Sequence, residues 1–184
     1  MNTLKQLLNF YGSDKEHRHG YAKAYEEMLG PMRESARYVV ELGVLEGASL
    51  RAWRDWFTQA KIIGVDVEPA IDIHEDDRIQ CLIFDLCESE SWAGISRLVD
   101  ALQMIVPFGV VDAIIDDASH RIGQQLGCLA ALQCFLRPGG LYIIEDALAV
   151  MESCGPEFEL PKLVRFEDTR RGNDPDSITY FFRK

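Results

Sequence analysis

Apolar residues along this chain follow two rhythms that alternate. Near the start, Leu4, Leu7, Leu8 and Tyr11 recur at helical spacing with Asn2, Lys5 and Gln6 between them. That pattern predicts an amphipathic helix over residues 3–10. A polar stretch follows at 12–20, and a second helix is expected over 22–29, ended by Gly30-Pro31. Short apolar runs then predict strands at 37–42, 61–67, 79–84, 110–115 and 141–144. Helical patterns at 49–59, 90–102 and 122–135 lie between them. The first carries Leu50, Trp53 and Phe57 on one face, and the last stops at Pro138-Gly139-Gly140.

Most of these strand runs are almost continuously apolar, which suits a parallel sheet covered on both faces. Strands alternating with helices imply βαβ units with right-handed crossovers. The C-terminus breaks the alternation: 163–167 and 177–183 read as two strands joined by a polar turn at 168–176. The expected fold is α/β, a Rossmann-like doubly wound, seven-stranded, mostly parallel sheet with a C-terminal antiparallel hairpin. No repeat, low-complexity tract or linker divides the 184 residues. One domain is expected over 1–184, with a helical N-terminal segment at 1–30 and a Rossmann-like core at 37–184.

Ligands of such sheets sit beyond the carboxyl ends of the strands. Every predicted parallel strand ends there in an acid: Glu41, Asp66, Asp85, Asp116-Asp117 and Glu145-Asp146. Singly, each is also what a helix cap or a solvated loop would carry. Together they make an acidic rim over one crevice. The first strand runs into Glu41-Leu42-Gly43-Val44-Leu45-Glu46-Gly47. Its two glycines let backbone approach a ligand closely, because no Cβ intervenes. Asp66 follows at the distance expected of an acid that binds ribose hydroxyls. A dinucleotide fingerprint, Gly-x-Gly-x-x-Gly, would need glycine where Leu45 stands, which argues against a nicotinamide dehydrogenase.

Composition narrows the partners. Lys plus Arg is 19 against 30 for Asp plus Glu, a formal net charge of -11. This argues against binding a phosphate backbone or an anionic membrane; otherwise the acidity serves solubility. Hydrophobic content of 47% is enough for a sizeable core. The cysteines Cys81, Cys87, Cys128, Cys134 and Cys154 form no Cys-x-x-Cys pair and are odd in number. They read as reduced thiols, mostly core filler, in a cytoplasmic protein, and no zinc site is expected from them. No apolar run approaches the ~20 residues that span a bilayer, and the start reads as an amphipathic helix rather than an export segment.

Joined to Glu41, Asp66 and Asp85, the Gly43-x-x-x-Gly47 turn resembles that of the class I S-adenosylmethionine-dependent methyltransferases, whose cofactor has no pyrophosphate. The resemblance covers nearly the whole chain, terminal hairpin included. It implies Glu41 and Gly43 at the methionine end, Gly47 packed beside it, Asp66 on the ribose hydroxyls and Asp85 at the adenine amine, with Asp116 also in the cofactor-binding set. Three further stretches resemble the metal-dependent sugar O-methyltransferases of macrolide antibiotic pathways. The first is Tyr11-Gly12-Ser13-Asp14-Lys15 with His19-Gly20-Tyr21 and Tyr25-Glu26. The second is Ile115-Asp116-Asp117-Ala118-Ser119-His120, and the third runs from Leu136 to Glu145-Asp146. The resemblance implies magnesium on Asp117, Glu145 and Asp146, His120 as general base beside Asp117, and methylation of a hydroxyl on a sugar or sugar-bearing small molecule.

The chemistry of these residue types agrees. Magnesium takes hard oxygen ligands, and acids ending adjacent strands can converge on one ion. A bound cation lowers the pKa of a coordinated hydroxyl. A histidine titrates in the range needed to remove its proton. By residue type alone, His120 is also a neighbour of the helix cap at Ile122, and Glu145-Asp146 a loop acid pair. The stretch 147–160 is short and unlike the family continuation. Either the acceptor is small or exposed, or a neighbouring subunit of a homo-oligomer completes the pocket, or the chain is a non-catalytic S-adenosylmethionine-binding protein that has lost its acceptor site. The stretch 12–20, with His17, Arg18 and His19, is either a solvated loop or a lid that orders over the cofactor. His74, within the acidic stretch 72–77, reads as surface, and Trp53 and Trp56 as core and rim of one helix.

Overall fold

A computed structural model of the chain describes residues 2–68, 76–86, 93–147, 161–170 and 178–184. The expectations on His74, Cys87, Cys154, 148–160 and 171–177 lie outside those residues. The elements are α1 (Leu4–Tyr11), α2 (Asp14–His17), α3 (Ala22–Leu29), β1 (Tyr38–Leu42), α4 (Ala48–Trp56), β2 (Lys61–Asp66) and β3 (Ile79–Ile83). There follow α5 (Ala93–Gln103), β4 (Val111–Asp116), α6 (Ile122–Leu132), β5 (Leu136–Ile144), β6 (Lys162–Asp168) and β7 (Ile178–Arg183).

Local chemistry accounts for the first helix. The Thr3 hydroxyl accepts from the Gln6 amide while the Gln6 side chain accepts from the Thr3 amide, a reciprocal cap. The helix ends on Gly12 in the left-handed conformation. The polar stretch that follows is not a free loop. It folds into α2, and Ser13, Lys15 and His19 are buried.

The sheet order is β3-β2-β1-β4-β5-β7-β6. Strands β1 to β5 are parallel, while β7 runs antiparallel to both β5 and β6. The terminal hairpin is present, with its second strand innermost. Composition explains this: β7 is buried from Ile178 to Phe182, whereas β6 alternates half-buried and exposed positions, with Lys162, Glu167 and Asp168 along it. A charged, alternating strand suits an edge.

Successive residues of a strand face opposite sides of a sheet, and the core divides accordingly. Val39, Ile62, Ala113, Ile115, Ile143 and Phe181 face α1, α3 and α4. Val40, Ile63, Ile114, Tyr142, Ile144 and Phe182 face α5 and α6. Both tryptophans of α4 are buried; Trp56 is core rather than rim, packed edge-on to Phe57 and under the Arg33 guanidinium.

The helix expected over 122–135 ends at Leu132, and a 3-10 turn, Gln133–Phe135, leads into a longer fifth strand. Pro138-Gly139-Gly140 lies inside that strand, where the register against β4 shifts. Gly139 and Gly140 there bond to the backbone of Lys184 instead.

Candidate active site

Strands β2 and β4 flank β1 on opposite sides, so the connections after β1 and β4 diverge and leave a crevice at their carboxyl ends. The loop after β1 sits in that crevice. Gly43 donates to the Val65 carbonyl at 2.8 Å with φ +80°, and a Cβ there would run into the backbone carbonyl of Asp117. Glycine is therefore required for the loops after β1 and β4 to pass each other. Leu45 and Gly47 also have positive φ, and Leu45 projects into solvent. Asp66 holds this loop: its Oδ2 accepts from the Val44 and Leu45 amides at 2.7 and 2.9 Å, and its Oδ1 from the Val67 amide at 2.6 Å. Gly43, Gly47 and Asp66 thus form one unit. Asp85 is exposed beyond the end of β3, next to Phe84, whose amide donates to the Asp66 carbonyl at 2.8 Å.

On β1, β4 and β5 the odd-numbered core residues face α3 and α4, and Glu41, Asp117 and Glu145 continue that parity at the strand ends. Three carboxylates on one covered face need a cation, and the N-terminal segment supplies it. The Lys15 ammonium lies 2.5 Å from Asp117 Oδ2, 3.0 Å from Glu145 Oε2 and 3.2 Å from Glu41 Oε1, with its side chain only 3% exposed. Glu41 Oε2 accepts from Ser49 Oγ at 2.7 Å and from Trp53 Nε1 at 3.2 Å. The Tyr25 hydroxyl donates to Glu145 Oε1.

Burial works against charge on Lys15, yet the three carboxylates outweigh it and hold the ammonium well above its ordinary range. Burial also opposes charge on Asp117, but Lys15 and His120 bring its carboxyl below the usual value. Glu145 and Glu41 are held above theirs by burial, against the pull of Lys15. One ammonium faces three carboxylates here.

Asp116 has the opposite parity. It faces α6, takes a hydrogen bond from the Tyr142 hydroxyl at 3.0 Å, and burial pushes its carboxyl up to about 7. Its side chain thus starts from the opposite face of the sheet to Asp117.

Asp117, His120 and Asp146 meet at the mouth of the crevice. His120 Nε2 lies 3.2 Å from Asp117 Oδ1 and 3.8 Å from Asp146 Oδ2. His120 and Asp146 have φ of 52° and 51°. A non-glycine residue in that region costs on the order of 1–3 kcal/mol, and such strain clusters at functional sites. One ligand atom from each of the three residues falls within a 4.8 Å span, close enough for one metal ion.

The donor set fits a divalent cation. Each carboxylate commits one oxygen to the protein, Asp117 Oδ2 to Lys15 and Asp146 Oδ1 to the Tyr21 hydroxyl at 2.6 Å. The other oxygens lie towards His120. Glu145, expected as a third ligand, has both oxygens engaged by Tyr25 and Lys15 and is turned inward. The roles of Lys15, Tyr21, Tyr25 and Ser49 escaped the sequence reading. The parity of Glu41, Asp117 and Glu145 was the signal that a buried counter-charge must come from elsewhere in the chain.

No protein-family model matches the chain. It is 34% identical over 143 residues to an 8-demethyl-8-alpha-L-rhamnosyl tetracenomycin-C 2'-O-methyltransferase of Streptomyces olivaceus, covering 74% of this chain and 35% of the relative. It is 31% identical over 135 residues to a mycinamicin VI 2''-O-methyltransferase of Micromonospora griseorubida, covering 70% and 31%. The chain thus spans about a third of the length of the curated relatives it matches. Among solved structures, the MycE methyltransferase of the mycinamycin biosynthetic pathway, in complex with Mg, SAH and mycinamycin VI, superposes with a TM-score of 0.72 at 22% identity, over 99% of this chain and 54% of MycE. An Aquifex aeolicus SAM-dependent methyltransferase superposes with a TM-score of 0.57 at 12% identity, over 100% and 98%. In ancestry the chain is a relative of the sugar O-methyltransferases, and in fold it carries the sheet of the S-adenosylmethionine-dependent methyltransferases.

Proposed function

We propose that the chain transfers a methyl group from S-adenosylmethionine to a hydroxyl of a sugar or sugar-bearing small molecule, assisted by a divalent cation such as magnesium. The observation that carries this is the convergence of Asp117, His120 and Asp146 beside the loop from Gly43 to Gly47. Two relatives are named for O-methylating a rhamnosyl tetracenomycin and mycinamicin VI, the first of them sugar-bearing by its name.

In this reading the Gly43–Gly47 loop lies along the cofactor, Asp66 takes the ribose hydroxyls and Asp85 the adenine amine. Glu41, closed off by Ser49, Trp53 and Lys15, acts as the floor of the methionine end rather than as a direct partner. Asp117 and Asp146 hold the cation, which when bound polarises the acceptor hydroxyl and lowers its pKa. Magnesium prefers oxygen donors, which leaves His120, 42% exposed at the mouth, to take the hydroxyl proton as general base. What remains is alignment of acceptor oxygen, methyl carbon and sulfur, a matter of positioning. The reading places the protein in the cytoplasm with a small-molecule acceptor and no nucleic-acid or membrane partner. Among the described residues no helix is long and apolar enough to cross a membrane.

One observation favours a second reading, a protein that binds S-adenosylmethionine without turnover. The Lys15 ammonium already partly balances the acid cluster, as a site without a metal would need. Chelator-sensitive methyl transfer separates the two.

The cofactor half is tested by calorimetry. S-adenosylhomocysteine is expected to bind and to raise the melting temperature by mass action. Asp66→Ala is expected to weaken that binding by about 1–3 kcal/mol, through loss of the ribose contact and release of the Val44 and Leu45 amides. Binding of NAD with S-adenosylhomocysteine ignored would contradict the assignment.

A further inference from the structure

Two side chains of the N-terminal segment each take one oxygen of the acids assigned to the cation. The Lys15 ammonium holds Asp117 Oδ2 at 2.5 Å, and the Tyr21 hydroxyl donates to Asp146 Oδ1 at 2.6 Å. The remaining oxygens, Asp117 Oδ1 and Asp146 Oδ2, lie 3.2 and 3.8 Å from His120 Nε2. Neither donor is loose. Lys15 is pinned by Glu145 and Glu41 as well as Asp117. The Tyr21 ring is fully buried, stacked on His19 at 5.2 Å between centroids and edge-on to Tyr25 at 6.5 Å. Asp146 also has a left-handed backbone, φ 51°, so its carboxylate direction is not dictated by an extended strand and depends on what holds it.

We infer that Tyr21 and Lys15 are positioning residues for the cation site: they turn one oxygen each of Asp146 and Asp117 towards a shared ion and keep the other from competing for it. The inference rests on the reading of Asp117 and Asp146 as cation ligands. Its physical basis is that outer hydrogen bonds to ligating carboxylates fix their orientation, and removing one typically costs 10–100-fold in metal affinity. The segment 12–21 is then part of the metal site and not only a cover for it.

The test is Mn²⁺ binding by the folded protein, followed by electron paramagnetic resonance. Tyr21→Phe removes only the hydroxyl and is expected to weaken Mn²⁺ by about 10-fold or more. Tyr11→Phe is the control. It removes a similar hydrogen bond, Tyr11 to Asp55 at 2.7 Å, from the same segment but away from the acids, and is expected to leave Mn²⁺ affinity unchanged. Asp146→Ala tests the underlying reading and is expected to abolish binding. If Asp146→Ala binds Mn²⁺ like the unsubstituted protein, the cation assignment itself fails. If Asp146→Ala fails to bind while Tyr21→Phe binds normally, or if Tyr11→Phe weakens binding as much as Tyr21→Phe, the positioning role alone is overturned. A purely structural Tyr21 would lower the melting temperature and leave the affinity of the folded protein intact.

Discussion

Lys15→Met is expected to lower folding stability by about 3–5 kcal/mol, the usual cost of removing one partner from a buried charge cluster. The ammonium lies within 3.2 Å of three carboxylates, one near the end of β1 and the other two just past β4 and β5. Without it Glu41, Asp117 and Glu145 face one another at close range, two of them fully buried. Methionine fills much of the same volume, so the loss reports charge and not a cavity. Urea unfolding without divalent cations is the measurement. A change below about 1 kcal/mol would mean that the acids are already neutral or solvated, and that the segment carrying α2 is not anchored through this contact.

The second large effect is on rate. His120→Ala is expected to reduce methyl transfer by about 10²–10⁴-fold, the range for loss of a general base, with binding of S-adenosylhomocysteine unchanged. The side chain stands at the mouth, 3.2 Å from Asp117 Oδ1, whereas Asp66 and the Val65 carbonyl hold the Gly43–Gly47 loop. Normal turnover by this variant would remove His120 from the chemistry and leave only the cofactor crevice.

Much of this architecture is legible before any coordinates. Apolar runs with acids at their ends announce the parallel strands, and Gly43 and Gly47 mark the loop that must pass close to backbone, here the carbonyl of Asp117. Period-two alternation adds which acids share a face. Asp116 and Asp117 are neighbours in sequence but belong to opposite faces, and the same parity groups Glu41, Asp117 and Glu145. The place of β7 between β5 and β6 follows from its unbroken burial against the charged alternation of β6, a comparison between strands rather than a property of either one. The fold of 12–20 resisted local reading for a different reason. Lys15 and His19 look like solvated polar residues, yet they are buried against acids distant in sequence, and Ser13 is buried as the cap of α2. Asp146 and His120 depart from strand geometry through positive φ values that no local pattern announces.

Cation-assisted methyl transfer to a sugar hydroxyl is the proposed chemistry of the edge formed by Asp117, His120 and Asp146. Its most direct measurement is transfer of labelled methyl from S-adenosylmethionine to rhamnosyl and macrolide glycosides, with magnesium, after chelation, and after magnesium is restored. Labelled O-methyl sugar is expected, lost on chelation and regained with the metal. Transfer untouched by the chelator, or S-adenosylmethionine bound with no transfer to any glycoside, would contradict it.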